Sequence, residues 1–562
     1  MALRCGLAVT LAALACGLGA ALGRGSAQPP PGTHRMETVI QDDALLLHRP
    51  AAEVRRTAQR IASLGADRVR LTASWGALAP GTENRRKPRF DAADSRDYPR
   101  EPFTRLDRAV KEVRRAGMEV MIDLAFFAPR WAVASGNPVD RRHAWRPSAH
   151  EFGLFARAVA ERYSGHFADP ADRDASLPGV RLWTTWNEPN HPVFLRPQWE
   201  RVPARRPDRR GRPGRRRGSV VGKGGWRPAS PHLYRRMHDA AYDQVKEVRP
   251  GNEVLIGGLA SEAEPGRGAR RGIGPLRFTR ELACVGASLR PLRRHECRRF
   301  RPLRADGFAH HPYSRPTRPD ARDLTKDRVQ IGELDRLTGL LADLYVRGRL
   351  ARPLPLYITE YGYETNPPDP RGHTPEDHSR YLGQATYLAW RHPEVRMFAQ
   401  FLLEDIGPDI SKPAGTAARW ADYQTGLFHH NGRPKRSVVQ GFRLPFFVET
   451  VKEPAGGTHT VAFGQVRPRS GAQNVVIQRL GAPGRWIVEA SLGLLAPDAP
   501  PRTGFPTDAD GFFLRRLPFR PGETYRAVWL AGDRLTRVSQ EIRVGTPRPL
   551  VDGIGELIRT SG

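Results

Sequence analysis

Trp183-Thr184-Thr185-Trp186-Asn187-Glu188-Pro189-Asn190 decides the reading of this chain. An apolar, β-branched run that begins near Val180 stops abruptly at Asn-Glu-Pro. Proline has no N–H to offer a ladder, so a strand that reaches Pro189 has ended. A carboxylate and an amide are left side by side at the strand's C-terminal end, next to a tryptophan. Far downstream, Leu354-Pro355-Leu356-Tyr357-Ile358-Thr359-Glu360-Tyr361-Gly362 closes in the same manner, with a glutamate beside an aromatic ring and a turn-forming glycine.

Around these two strands the chain alternates short apolar runs with amphipathic stretches, the pattern of a parallel α/β fold. Val54, Ala58, Ile61 and Leu64 recur at helical spacing, and Gly65 stands where a helix C′ residue is expected. The strand Val69-Arg70-Leu71-Thr72 follows at once. Leu106, Val110 and Val113, then Gly117, then a strand over 119–124 repeat the design. Helices are expected near 149–163, 231–248, 276–285, 331–345, 376–391 and 435–443, and strands near 37–40, 180–187, 254–259, 307–311, 354–359 and 395–403. Eight such βα units fit a (β/α)8 TIM barrel with long loops over 36–443. The competing doubly wound sheet lacks a Gly-x-Gly-x-x-Gly after an early strand. After about residue 445 the pattern becomes short alternating strands divided by Gly, Pro and Asp turns, which predicts a small all-β sandwich over 445–545.

Two glutamates on two strand ends suit cleavage of a glycosidic bond, where one carboxyl protonates the leaving oxygen and the other attacks the sugar. Asn-Glu-Pro closing one strand and Thr-Glu-x-Gly closing a later one resemble the retaining glycoside hydrolases of clan A, with the flavour of the cellulase-type family 5 and the family 39 glycosidases. The resemblance spans roughly 36–443. It implies a barrel with Glu188 as acid/base on strand four and Glu360 as nucleophile on strand seven. It further implies that the Asn187 amide reaches a sugar 2-hydroxyl, and that Arg70 lies near the nucleophile. Within His310-His311-Pro312-Tyr313, the pair His311 and Tyr313 resembles the clan's His-x-Tyr, whose tyrosine donates to the nucleophile. Pro129-Arg130-Trp131 resembles the Pro-x-Trp of family 39, which makes Trp131 a sugar platform or a core residue. Trp75 carries the same two readings, because aromatic faces pack well on sugar C–H surfaces. Gln400, Glu404 and Asp405 close strand eight as candidate hydroxyl ligands. Glu364 and Glu404 rival Glu360 on carboxylate identity alone, but Glu364 lies four residues past the strand end, on a loop, and Glu404 belongs to the final strand. The chain departs from family 5 in lacking a histidine after strand three and a tryptophan on strand eight.

No organic cofactor is implied. The paired histidines suggest zinc at first sight, but neighbours on a strand point to opposite faces, so no metal site is expected there. The formal charge of +31 comes from 82 Arg against 8 Lys, spread along the whole chain rather than gathered on one motif, so nucleic acid is not the expected partner. The expected partner is a polysaccharide or oligosaccharide. One stretch is unusual: residues 201–228 hold eleven basic residues and one acidic one among Pro and Gly. It follows the strand bearing Glu188, cannot bury an apolar face and is expected to drape loosely on the catalytic side.

Arg4, the small apolar run from Leu7 to Leu22 and the Gly25-Ser26-Ala27 site read as a signal peptide over 1–27, and hence a secreted, extracellular protein with no integral membrane span. The run of sixteen residues is short for a bilayer, which needs about twenty. Once the signal has left, Cys284 and Cys297 remain, and an even pair in an oxidising compartment predicts one disulfide. A barrel that binds polysaccharide without cleaving it is the rival reading, against which Glu188, Glu360 and Tyr313 stand together.

Overall fold

The computed structural model describes residues 35–549 apart from 136–141, 203–224, 264–265, 325, 453–456, 469–470, 490–491, 494–503, 532–534 and 546–547. The signal-peptide reading and the core of the basic stretch therefore lie outside the described residues.

Eight strands close into a parallel barrel: β1 (Glu37–Gln41), β2 (Arg68–Ser74), β3 (Glu119–Ala125), β4 (Leu182–Thr185), β5 (Glu253–Ala260), β6 (Gly307–His311), β7 (Leu356–Ile358) and β8 (Val395–Phe401). Each pairs with its neighbour in chain order, and β8 returns to β1 with Thr38 opposite Phe398. The expected helical stripe Val54, Ala58, Ile61 and Leu64 is buried, and Gly65 and Gly117 take φ values of +88° and +85°, which a residue with a Cβ resists.

Strand alternation divides the barrel interior into layers. Val39, Met121, Leu182, Leu255, Ala309, Tyr357, Met397 and Ala399 form one apolar cluster inside the barrel. Two residues closer to the C-terminal end, the same alternation brings Gln41, Asp123, Thr184 and His311 inward on β1, β3, β4 and β6. A dry layer thus underlies a polar one, and the polar one faces the mouth.

Beyond the last helical turn, Val438–Arg443, two mainly antiparallel sheets follow. One holds Phe446–Lys452, Thr458–Gln465 and Phe512–Leu517; the other is built on Asn474–Leu480 and Thr524–Ala531. Their inner faces share a core that includes Phe446, Ala462, Val475, Ile477, Phe513, Tyr525 and Trp529. The first sheet is apolar on its other face as well. Phe463 and Phe512 pack on Trp390, with ring centroids 5.0 and 5.8 Å away, and Phe447 and Phe463 pack on Tyr387. Those two rings belong to the helix Pro375–Trp390, between β7 and β8. Strand Phe446–Lys452, which the sequence pattern does not announce, is the seam, since it is covered on both sides.

Cys284 and Cys297 are disulfide-bonded. The bond spans 13 residues and is worth about 3 kcal/mol in the chain-entropy model. Among the described residues no helix is long and apolar enough to cross a membrane.

The seam generates the first prediction. Trp390→Ala empties a buried site between helix and sheet and should lower unfolding stability by about 3–5 kcal/mol. A chain cut after Arg443 should expose Tyr387 and Trp390 and elute as aggregate on size exclusion; a monomeric fragment with undiminished melting temperature would contradict this packing.

Candidate active site

Leaving β4, the backbone adopts positive φ at two residues that carry side chains, 64° at Trp186 and 40° at Glu188. Each such position costs about 1–3 kcal/mol and persists only where the surroundings over-determine it. Here they do. The Trp186 N–H donates to Leu124 O at 2.7 Å, and the Glu188 N–H donates to Gly258 O at 2.9 Å. Asn190 ties the next turn to β5: its Nδ2 donates to Ala260 O and Ile273 O, and its Oδ1 accepts from the Ala260 N–H. The Trp186 ring is buried against Phe152 and donates from Nε1 to Phe194 O. So held, the turn brings Glu188 into the barrel mouth.

Glu360, just past β7, meets it there. Arg70 Nη1 donates to Glu360 Oε1 at 2.6 Å, and Tyr313 Oη donates to Glu360 Oε2 at 3.1 Å. The other guanidinium nitrogen of Arg70 donates to Asp123 Oδ2 at 2.7 Å and Asn187 Oδ1 at 3.1 Å, while Nη1 also reaches Gln41 Oε1. Asp123 is held from its far side by Thr184 Oγ1 at 2.7 Å. His311 bridges the two glutamates, its Nδ1 lying 3.0 Å from Glu188 Oε1 and 3.6 Å from Glu360 Oε2. Ligand-bearing atoms of Glu188, His311 and Glu360 all fall within 4.8 Å of one another.

The charges follow from these contacts. Burial pushes the Glu360 carboxyl up, but His311, Arg70 and the hydrogen bonds from Arg70 and Tyr313 outweigh it and hold it below the usual glutamate value. Burial, with the Glu360 charge, keeps Tyr313 protonated far above the ordinary phenol range, so it remains a donor. Asp123, also buried, rises from 3.8 to about 6 despite Arg70. Burial opposes the charge on Arg70, and Asp123 and Glu360 restore it.

The structure brings Glu188, Glu360, Asn187, Arg70, His311 and Tyr313 together. His310 turns away, with Nε2 2.8 Å from Val329 O, and burial drives it down to about 4. Of the rival acids, Glu404 pairs with Arg60 at 2.5 Å and Glu364 pairs with Arg315. Gln400 gives its amide to Phe401, Leu402 and Thr425 carbonyls, while Asp405 is tied through Oδ1 to Lys435 and lines the cleft.

Two expected substrate residues are corrected. Ser74 caps a helical turn that begins at Trp75, so the chain leaves strand geometry and the ring swings outward. Trp75 is 0% exposed, stacked on Phe155 at 5.8 Å, a core residue. Trp131 stands edge-on to Trp75 and Phe90 and donates from Nε1 to Pro80 O, away from the cleft wall. Sequence reasoning overlooked Asp123 and Gln41. For Asp123 the signal was present: an acid inside the apolar run of β3, two residues beyond the inward Met121. The cleft aromatics Phe126, Phe194, Phe401 and Tyr423 sit beyond or at strand ends, where no periodicity marks them.

These side chains line a cleft of about 1980 Å3 to which the C-terminal ends or following loops of all eight strands contribute. The mouth of a barrel at that end is where such folds build their sites.

No family model matches the chain. No curated protein matches it. Among solved structures it is similar to a GH5_18 protein from Streptomyces cattleya in complex with GlcNAc, at 13% identity and TM-score 0.42, over 72% of this chain and 79% of that one. A glucosidase from Croceicoccus marinus overlaps at 12% identity and TM-score 0.42, over 87% and 97%. The β-glycosidase of the hyperthermophile Thermosphaera aggregans does so at 14% and 0.40, over 71% and 92%. Overlaps with TM-scores this low carry no inference about this chain.

Removing the buried cation should be costly in a pH-dependent way. Asp123, raised to about 6, already makes the folded state take up protons that the unfolded chain does not hold, so its contribution to stability falls as pH rises from about 4 to 6. Arg70→Met leaves Asp123 and Glu360 without their cation and should cost about 3–5 kcal/mol at neutral pH. The deficit should shrink on acidification below about 6, read from urea melts across pH. A deficit independent of pH would refute this account of the network.

Proposed function

We propose that this protein is a retaining glycoside hydrolase that cleaves O-glycosidic bonds in a polysaccharide or oligosaccharide. One observation carries the reading: Glu188 and Glu360, at the ends of β4 and β7, have carboxylate oxygens within 4.8 Å of one another. Retaining enzymes hold their carboxyls about 5–5.5 Å apart, whereas inverting enzymes leave about 6.5–9.5 Å for a water. The short spacing fits the retaining arrangement. The asymmetry of environment supports the division of labour: Glu360 is kept ionised by a guanidinium, a phenol and an imidazole.

In the first step the Glu360 carboxylate attacks the anomeric carbon, the bond to the leaving oxygen breaks, and Glu188 gives that oxygen its proton. In the second, Glu188 takes a proton from water, the water oxygen attacks the anomeric carbon, and Glu360 leaves as carboxylate. Asn187 presents its amide N–H to the sugar's 2-hydroxyl, since Arg70 occupies its oxygen. Arg70 and Tyr313 favour the ionised nucleophile, and their hold on Glu360 weakens as its charge passes to the sugar. A cleft of about 1980 Å3 exceeds the roughly 300–1,000 Å3 of single small-molecule sites and suits several sugar units. The signal-like N-terminus supports export, with a mature chain beginning near Gln28.

Glu360→Ala should abolish turnover of every glycoside. Glu188→Ala should keep the first step on aryl glycosides with good leaving groups, which need no proton, and azide should then yield the glycosyl azide of retained configuration. With Glu360→Ala, azide should yield the inverted product. Proton NMR of the first-formed anomer decides; full activity in either variant, or inversion by the wild type, removes the assignment. Tyr313→Phe should move the acid limb of kcat/KM to higher pH, because Glu360 loses a donor that stabilises its ionised form and protonates sooner as pH falls. An unmoved limb would separate Tyr313 from the nucleophile.

A further inference from the structure

The chain that leaves Glu188 lines the cleft through His191, Phe194 and Trp199, then forms a two-stranded ribbon, Trp199–Val202 paired with Gly225–Pro228. Opposite residues of an antiparallel pair share a face. Trp199 lies opposite Pro228, and Arg201 lies opposite Trp226, so Trp199, Arg201 and Trp226 stand on one face. Trp199 is buried on the cleft wall, while Trp226 is 39% exposed. The face is therefore the cleft wall continued outward by an exposed indole.

The two sides of the ribbon differ in charge balance. On the other side Glu200 accepts from Arg227 at 2.7 Å and from Arg146 at 2.8 Å, and Arg227 also pairs with Glu296, so two cations meet two carboxylates there. On the indole side, the guanidinium groups of Arg277 and Arg267 lie 4.7 and 5.9 Å from the centre of the Trp199 ring. Among the described residues, none of Arg201, Arg267 and Arg277 has a carboxylate within ion-pair distance. Burial pushes Arg277 down, and the charges of Glu281 and Asp327 offset that only in part.

We propose that this ribbon face, with Arg267 and Arg277 beside it, binds an anionic stretch of a glycan chain, stacking a sugar ring on Trp226 and pairing carboxylate or sulfate groups with the arginines. It lies on the Glu188 side of the cleft, on the chain that continues from that residue. In the hydrolase reading, on which this inference rests, that is the side from which the leaving portion of the chain departs. The face thus selects acidic polymers and holds them beyond the bond that breaks. Its continuity with the cleft favours a glycan over nucleic acid.

The test is affinity electrophoresis of the full chain at low salt in gels containing hyaluronan, chondroitin sulfate or dextran. Trp226→Ala and the double variant Arg201→Glu/Arg267→Glu run beside the wild type, and all are assayed on aryl glycosides. Wild type should be retarded by hyaluronan, chondroitin sulfate or both, and not by dextran; the carboxylated and sulfated gels separate the two sources of charge. Each variant should bind about fivefold to tenfold more weakly. Both should melt as wild type does and cleave small aryl glycosides at an unchanged rate, since the face lies outside the reacting centre. Retardation that is equal in wild type and both variants, or equal in dextran and the acidic gels, overturns the proposal. So does duplex DNA that displaces the glycan at lower concentration than free glycan does. If the wild type binds the acidic gels through this face but cleaves no glycoside, the hydrolase reading falls, and with it the leaving-side role. If it cleaves aryl glycosides and the variants bind undiminished, only the ribbon proposal falls.

Discussion

A guanidinium buried at the centre of the barrel mouth constrains nearly everything around it. Arg70 is 2% exposed and touches Gln41, Asp123, Asn187 and Glu360, contributed by four different strands or strand ends. A charge taken out of water at this depth is tolerable only with counter-charges in place, and here both terminal nitrogens, Nη1 and Nη2, are hydrogen-bonded to them or to neighbouring amides. Two carboxylates meet one guanidinium, and burial, with a smaller push from the Glu360 charge, holds Asp123 up. The nucleophile candidate remains the lower of the two: His311 acts on both acids, but it lies 3.6 Å from Glu360, which also accepts from Tyr313. One ion thus orders the site and decides which acid is ionised.

That ion can sit there because strands alternate. The apolar layer from Val39 to Met397 closes the barrel beneath it and keeps water from solvating the network from below. A shift of one residue in any of these strands would replace Arg70, Asp123 or His311 by Val69, Ile122 or His310. Register is therefore under strong selection by burial, and the positive φ at Trp186 and Glu188 becomes affordable: the neighbouring strands fix both ends of the turn, leaving the strained residues nowhere to relax.

Much of this is legible in the sequence, for reasons that residues supply. Pro189 and Gly362 fix where β4 and β7 stop, so the two glutamates announce themselves. Alternation separates His311 from His310. It fails once the strand ends: Ser74 starts a helical turn, and Trp75, one residue later, goes to the core. Trp131 follows the same rule on a loop. Strand Phe446–Lys452 hides because it is covered on both faces, so its Phe-Phe-Val-Glu-Thr-Val-Lys run does not show the polar-out rhythm of a half-buried strand. The ribbon hides for the opposite reason, in a stretch so rich in Arg, Pro and Gly that composition speaks for a solvated loop.

Charge is the property least readable from totals. A formal +31 suggests a polyanion partner, yet many arginines are engaged in local structure: Arg162 with Asp107, Arg68 with Glu37, Arg60 with Glu404, Arg315 with Glu364. What a surface offers a ligand is the charge left after such pairing, at the place where it is left. By that measure the mouth of the barrel around Arg70 holds more carboxylate than guanidinium. Unpaired positive charge beside it lies on the indole face of the ribbon, next to the candidate acid/base. Net charge sets the long-range field that raises encounter with any anion. The local remainder, joined to an exposed ring and continuous with the cleft, decides which anion stays.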